Sequence, residues 1–212
     1  MSAIRVLLVD DHAIVRAGLR AILDPLPNIQ VVAEAADAPA AMSQLFRCTI
    51  DLVLLDIGLP GRSGVELLKQ IKASWPKLPV LILSNYPEDQ YAVRVLKQGA
   101  AGYLTKETAP ERLAEAIRRV AQGGRFITET VADRLIDSVA GDSERAPHES
   151  LSDREFEVFK QIAAGRSLTE IADTHNVSVK TVSTQRARIL EKTGLATNAD
   201  ITRYALAHRL VE

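Results

Sequence analysis

Cysteine is almost absent from this chain: Cys48 stands alone among 212 residues. An intrachain disulfide is thereby excluded, and one thiol cannot build a cysteine-based metal site. Its position just after Leu45 and Phe46 predicts packing at a helix end rather than a reactive thiol. Net charge is equally sparse. Lys and Arg number 26 against 27 Asp and Glu, a formal balance of -1. Any nucleic-acid role must therefore rest on a local basic face and not on the whole. No apolar run approaches the roughly 20 residues that a helical membrane span needs. The segment from Met1 to Arg5 leads straight into an apolar run ending at Asp10, which is the wrong order for a secretory leader. The expectation is a cytoplasmic protein.

What is present is an ordinary globular composition, 47% hydrophobic and 25% charged, sufficient for one large domain or two modest ones. Five short apolar runs read as strands: Val6 to Val9, Val31 to Ala35, Leu52 to Leu55, Val80 to Leu83 and Gly102 to Leu104. Most are apolar on both faces, as in a parallel sheet covered by helices. Between and after them lie helical patterns at His12 to Leu23, Ala38 to Arg47, Gly64 to Ser74, Glu88 to Gln98 and Pro110 to Ala121. This (βα)5 order predicts an α/β fold with a doubly wound parallel sheet. A further helical pattern, Glu129 to Val139, precedes a polar stretch from Ala140 to Ser150 that reads as a linker. From Leu151 onward only helices are predicted. Their starts are marked by Ser152-x-x-Glu155, Ser167-x-x-Glu170 and Thr197-x-x-Asp200, each offering an acceptor to unpaired helix N–H groups.

Chemistry in a parallel α/β sheet collects outside the carboxyl ends of the strands. Asp10 and Asp11 end the first strand, Asp56 the third and Ser84 the fourth, and Lys106 lies just past the fifth. Crowded carboxylates repel one another and call for a cation. An oxygen-rich site with few protein ligands suits Mg2+, which keeps waters and accepts a phosphate oxygen. One carboxylate can then act as an oxygen nucleophile toward a phosphoryl donor. Lys106 supplies a point charge for the phosphate and Ser84 a hydroxyl. Singly, each of these residues is more economically read as a cap, a turn residue or a surface lysine. It is their joint order along the strands that carries the argument.

Those residues, in the text Val-Asp10-Asp11-His, Leu-Leu-Asp56-Ile-Gly-Leu-Pro60-Gly61, Ser84 and Gly-Tyr103-Leu-Thr-Lys106, resemble a receiver domain over residues 1–125. The resemblance implies that Asp56 takes a phosphoryl group from a sensor histidine kinase. It implies that Asp10 or Asp11, Asp56 and the backbone carbonyl of Gly58 hold Mg2+. Ser84 and Tyr103 match the pair that rearranges on phosphorylation, Ser84 bonding the phosphate and Tyr103 turning inward. Two departures stand out. Glu107 replaces the proline frequent after the lysine, so no cis bond is expected there. Gly58 has no side chain with which to position or exclude a hydrolytic water, and the lifetime of the phosphoryl group is left open.

Residues 166–192 carry a helix-turn-helix pattern, with the turn at His175-Asn176-Val177 and a longer helix from about Val179 to Lys192. Val182 and Ile189 can face a core, while Lys180, Ser183, Thr184, Ala187 and Arg188 share the other side. Residues 178–192 hold four basic residues, Lys180, Arg186, Arg188 and Lys192, against Glu191, a local +3. By charge alone this is a solvated basic helix. Residues 151–212, however, resemble the LuxR-like domain of NarL/FixJ-type response regulators. The matching text is Leu151-Ser-x-Arg154-Glu155-x-Glu157-Val158, Ile162-Ala163-x-Gly165, Ile171-Ala172, Ser178-Val-Lys180-Thr181-Val182 and Ile189-Leu190-x-Lys192. That resemblance implies a small all-α four-helix domain that binds double-stranded DNA. Ser183, Thr184 and Ala187 would lie at base edges, and Lys180, Thr181, Arg188 and Lys192 at phosphates. Gln185 departs from the histidine or tyrosine frequent at its position. The last helix, from about Asn198 to Arg209, is expected to pack on the core and supply part of a homodimer face.

The architecture expected is thus a receiver at 1–125, a linker helix and flexible linker at 126–150, and a DNA-binding domain at 151–212. The function expected is a response regulator that is not an enzyme. Two other classes remain open: an aspartyl phosphohydrolase, against which the lack of a second acid after Asp56 weighs, and a receiver-containing interaction protein that does not bind DNA.

Overall fold

The computed structural model describes residues 3–59, 63–86, 88–140, 146–175, 177–208 and 210–211. Pro60, Gly61, Asn176 and Arg209 from the motifs above lie outside the described residues, as does 141–145 of the linker. The chain divides into two compact units, Met1–Ile136 and Asp137–Glu212.

The first unit is built on strands β1 (Ile4–Val9), β2 (Ile29–Ala35), β3 (Leu52–Leu55), β4 (Val80–Ser84) and β5 (Gly102–Thr105). They form a parallel five-stranded sheet in the order β2-β1-β3-β4-β5. Every residue of β3 and β4 is buried, because helices cover both faces and leave no solvated side. Around the sheet run α1 (Ala13–Leu23), α2 (Ala38–Arg47), α3 (Gly64–Ser74), α4 (Glu88–Lys97) and α5 (Pro110–Ala121). In α5, Pro110 occupies the first turn, where its missing N–H costs nothing, and Arg118 and Arg119 face the negative helix end. Its apolar positions Leu113, Ile117 and Val120 join Val6, Leu8, Leu52, Leu54, Leu81 and Leu83 in one core.

The first compact unit runs to Ile136 and so takes in the start of the segment expected as a linker helix. Phe126 forms a parallel bridge with Gly102 on the edge strand. Val131 of helix α6 (Glu129–Ala140) is buried. The Phe126 bridge draws the segment after α5 onto the edge of the sheet.

The second unit holds α7 (Asp153–Ala163), α8 (Leu168–Thr174), α9 (Val179–Thr193) and α10 (Asn198–Ala207). All the capping boxes read from sequence are formed in both directions, at Ser152 with Glu155, Ser167 with Glu170 and Thr197 with Asp200. Gly194 closes α9 with φ 70 and donates its N–H to the Leu190 carbonyl, a left-handed ending that glycine adopts without strain. The core includes Phe156, Phe159, Ile162, Ile171, Val182, Ile189 and Ile201. A short 3-10 turn, Pro147–Ser150, occupies part of the expected linker, where the His148 Nδ1 lies 2.9 Å from the Tyr204 hydroxyl.

Candidate functional sites

β1 and β3 are neighbours, so Asp10 and Asp56 emerge side by side beyond their carboxyl ends. Hydrogen bonding of the Asp56 N–H to the Val9 carbonyl (2.8 Å) sets that register one residue past the strand pair. Both carboxylates are buried, at 2% and 5% exposure. Lys106 crosses from beyond β5 and places its Nζ 2.6 Å from Asp10 Oδ2 and 2.6 Å from Asp56 Oδ2. The remaining carboxylate oxygens are also engaged. Asp56 Oδ1 accepts from the Gly58 N–H at 3.1 Å, and Asp10 Oδ1 from the His12 N–H at 2.8 Å.

The electrostatics follow from this packing. Burial raises the Asp56 pKa above its ordinary value. The bonds from Lys106 and Gly58 pull it back only in part, and the charge of Asp10 adds to the rise. Burial alone would lower the Lys106 ammonium, but its bonds to Asp10 and Asp56 outweigh that and raise it. The ammonium therefore stays charged and serves as the internal counter-ion of two acids.

Ligand atoms of Asp10, Asp11, His12 and Asp56 lie within 4.8 Å of one another. Asp11 Oδ1 is shielded from solvent and receives no hydrogen bond, although the His12 Nδ1 lies 2.8 Å away. An orphaned buried carboxylate oxygen beside two further carboxylates fits a hard divalent cation. His12 was not among the residues singled out from sequence, and its side chain is largely exposed.

Ser84 is fully buried at the end of β4 and accepts the Tyr86 N–H at 3.2 Å. Tyr103 already points inward. The residue is 1% exposed and its hydroxyl donates to the Tyr86 carbonyl at 2.7 Å. Burial raises its pKa, against a hydrogen bond with Ser84. The inward position expected after phosphorylation is thus occupied here, with the hydroxyl bonded to the Tyr86 carbonyl in the loop after β4.

On α9, Val182 and Ile189 are fully buried, while Lys180, Thr181, Ser183, Thr184, Ala187, Arg188 and Lys192 are exposed. Spacings of three and four residues put Lys180, Ser183, Thr184, Ala187 and Arg188 on one face. Thr181 is partly committed to the helix start, its hydroxyl 2.9 Å from that of Ser178. Lys192 differs from the others, since its Nζ donates to Glu155 Oε2 at 2.6 Å. The same oxygen accepts the Ser152 N–H at 2.7 Å. Lys192 therefore ties the end of α9 to the start of α7, a role that basic spacing along α9 does not reveal.

Residues 6–118 match the model of the response regulator receiver domain, and residues 149–205 that of bacterial regulatory proteins of the luxR family. This chain is a member of the response regulator family, with a receiver and a LuxR-type DNA-binding domain. Response regulator UvrY of Escherichia coli is 35% identical over 208 residues, covering 98% of this chain and 95% of the relative. RcsB of Salmonella enterica serovar Typhimurium, solved on the rprA promoter with the phosphomimetic BeF3-, matches with a TM-score of 0.65 and 28% identity over 96% of this chain and 98% of that one. A structure of two RcsB dimers on two parallel DNAs gives 0.60 and 28%, over 97% and 99%. No described helix of the regulator is long and apolar enough to cross a membrane.

Sequence reading also passed over Gly64, which begins α3. A Cβ there would overlap the Asp56 carbonyl oxygen and stand 2.7 Å from the Ile57 Cα. Gly64 also donates its N–H to the Ile57 carbonyl at 2.9 Å. A methyl group can enter only if the backbone carrying Asp56 shifts. Gly64→Ala is therefore expected to destabilise the receiver by about 1–3 kcal/mol, read as a lower melting temperature. Gly18→Ala, where a Cβ meets nothing within 4 Å in exposed α1, should raise stability by about 0.5–1 kcal/mol.

In the helix-turn-helix, His175 follows α8 and is 8% exposed, its Nε2 lying 2.7 Å from Gln161 Nε2. Burial, then the charges of Arg154 and Arg166, lowers its pKa from 6.5 to about 4. The unfolded chain thus takes up a proton at higher pH than the folded domain. The stability due to this group is complete above pH 6.5 and is lost as pH falls toward 4. Hydrogen-exchange protection of α8 and α9, taken relative to the intrinsic rate at each pH, should fall over that window, and His175→Gln should flatten the dependence.

Proposed function

We propose that the regulator accepts a phosphoryl group on Asp56 from a sensor histidine kinase, and that this modification controls dimerisation and sequence-specific binding to double-stranded DNA. The observation that carries the reading is the Lys106 ammonium bridging two buried carboxylates at the ends of β1 and β3. An Asp56 oxygen would attack phosphorus as the bond to the donor imidazole nitrogen breaks, and the imidazole would take up a proton. Asp10, Asp11 and Asp56, with the Gly58 carbonyl, would hold Mg2+, which supplies neutralisation of the phosphate charge. Lys106 would keep one salt link on the phosphoryl group. Ser84 would exchange its bond with the Tyr86 N–H for one to a phosphate oxygen, shifting the loop that Tyr103 clasps.

The DNA-binding reading is supported by the exposed face of α9. Ser183, Thr184 and Ala187 would approach base edges, where hydroxyl groups and a methyl suit a thymine methyl and mixed acceptors better than a bidentate guanine contact. Lys180, Thr181 and Arg188 would meet phosphates, and Lys192 would do so only with donors beyond its bond to Glu155. RcsB is solved as dimers on DNA; the same association here would double the phosphate contacts, with α10 as part of the dimer face. The proposed boundaries are a receiver at 1–125, a linker helix and linker at 126–150 and a DNA-binding domain at 151–212, in a cytoplasmic protein without catalytic turnover of its own.

The test is incubation of the full chain with acetyl phosphate and Mg2+, followed by intact mass. A Mg2+-dependent gain of about one phosphoryl group is expected. No gain, with or without chelator, would overturn the phosphoacceptor reading.

A further inference from the structure

Asp10 is the most completely clamped residue of the acidic pocket. Its N–H donates to the Ala35 carbonyl of β2 at 3.1 Å. Its carboxylate meets the His12 N–H and the Lys106 ammonium. Its carbonyl oxygen, which a strand end usually leaves to water, accepts from Arg16 at 2.6 Å. Arg16 reaches it from the first turns of α1, with only 17% of the side chain exposed. The guanidinium is in turn held by Glu34, whose Oε2 lies 3.1 Å from its Nε. Glu34 and Ala35 are consecutive on β2. Strand β2 thus grips the Asp10 peptide twice, once directly and once through Arg16. The planar fork of arginine can serve both acceptors; a lysine can serve one at a time.

We propose that Arg16 is a positioning residue: braced by Glu34, it fixes the Asp10 carbonyl and so presents the Asp10 carboxylate to the divalent cation. The inference rests on the pocket being the cation site described above. It has a distinctive sign. Arg16 is a cation beside an acidic pocket, so by charge alone its removal would tighten Mg2+ binding. Through positioning, its removal weakens Mg2+ binding. Arg20 provides the control. It bonds the same Glu34 at 3.0 Å and Asp24 at 3.3 Å, away from Asp10.

The experiment is calorimetric titration of the folded, full-length chain with Mg2+ alone. Arg16→Met, which keeps the stem and loses the donors, is expected to weaken affinity about tenfold, the scale of losing a group that orients a metal ligand. Arg16→Lys should fall between, and Arg20→Met should match wild type. Glu34→Gln should weaken binding, and in the Arg16→Met background it should add no further loss. At saturating Mg2+, the rate of phosphorylation by acetyl phosphate in Arg16→Met should return to the wild-type value, so that the defect lies in the Mg2+ requirement and not in the chemical step. Unchanged or tighter Mg2+ binding in Arg16→Met would overturn the role of Arg16 while leaving the cation site intact. Absence of Mg2+ binding by wild type would overturn both. Should Arg16→Met fail to fold, Arg16→Lys carries the test alone: weaker binding supports the role and unchanged binding overturns it.

Discussion

Asp56→Asn is expected to abolish phosphoryl uptake while leaving the receiver at least as stable as wild type. The substitution keeps shape. The amide oxygen can still accept from the Gly58 N–H; the amide NH2 cannot accept from Lys106, which must turn to its other partner, Asp10. What disappears is the buried anion that the proposed function assigns as nucleophile and as one ligand of the cation. Stability should not fall, because Asp56 is ionised at a cost. Its pKa is raised by burial and by the neighbouring Asp10, so the folded state disfavours the charge that function requires. The variant should therefore melt at or above the wild-type temperature in the absence of Mg2+, as removal of a strained functional group commonly allows. Intact mass and thermal melting on one sample check both halves. A variant that still gains a phosphoryl group would move the acceptor to another residue.

Lys180→Ala combined with Arg188→Ala should weaken DNA binding by roughly tenfold for each lost contact, the scale of a charge-assisted hydrogen bond. The diagnostic quantity is the salt dependence. Each lost phosphate contact should lower the slope of log K against log salt by about 1, uniformly across DNA sequences. Ser183 and Thr184 should behave differently, since loss of a base contact relaxes sequence preference and leaves the slope unchanged. Lys192 should differ again. Its ammonium secures Glu155, a buried acid whose pKa burial would raise but whose bonds to Lys192 and Ser152 hold it below its usual value. Lys192→Ala is expected to destabilise the domain first and affect DNA through that loss. Isotherms at several salt concentrations on a duplex selected from a random pool supply the measurement. An unchanged slope in Lys180→Ala with Arg188→Ala would remove this face of α9 from the phosphate-contacting surface.

The contrast between Lys192 and Arg188 shows where sequence reasoning ran out. Both are basic residues on α9, and only the distant Glu155 distinguishes them. Local signals are legible in the sequence. The apolar runs of β3 and β4 mark fully covered strands, and the Ser-x-x-Glu pairs mark helix starts, because both depend on neighbours a few positions away. Asp10, Asp56 and Lys106 could be gathered as well, since a parallel sheet delivers its strand ends to one edge. Long-range bonds stayed hidden. Arg16 reads as an ordinary polar position on an amphipathic helix until Asp10 and Glu34 are placed around it. Gly64 reads as a helix start, although its lack of a side chain admits the Asp56 carbonyl. Tyr103 read as a residue waiting to turn inward, and its resting partner, the Tyr86 carbonyl, lies on a loop whose path no local pattern encodes. The 3-10 turn at Pro147–Ser150 read as linker because its apolar content is low, yet His148 anchors it to Tyr204.

The central claim is that the state of the Asp56 pocket governs DNA binding. The most direct measurement is the affinity and stoichiometry of the full chain on a selected duplex, at fixed salt, with and without beryllofluoride and Mg2+, for wild type and Asp56→Asn. Tighter binding as a dimer with the phosphoryl analogue, in wild type alone, is the predicted result. Identical affinity and stoichiometry in both conditions would contradict it.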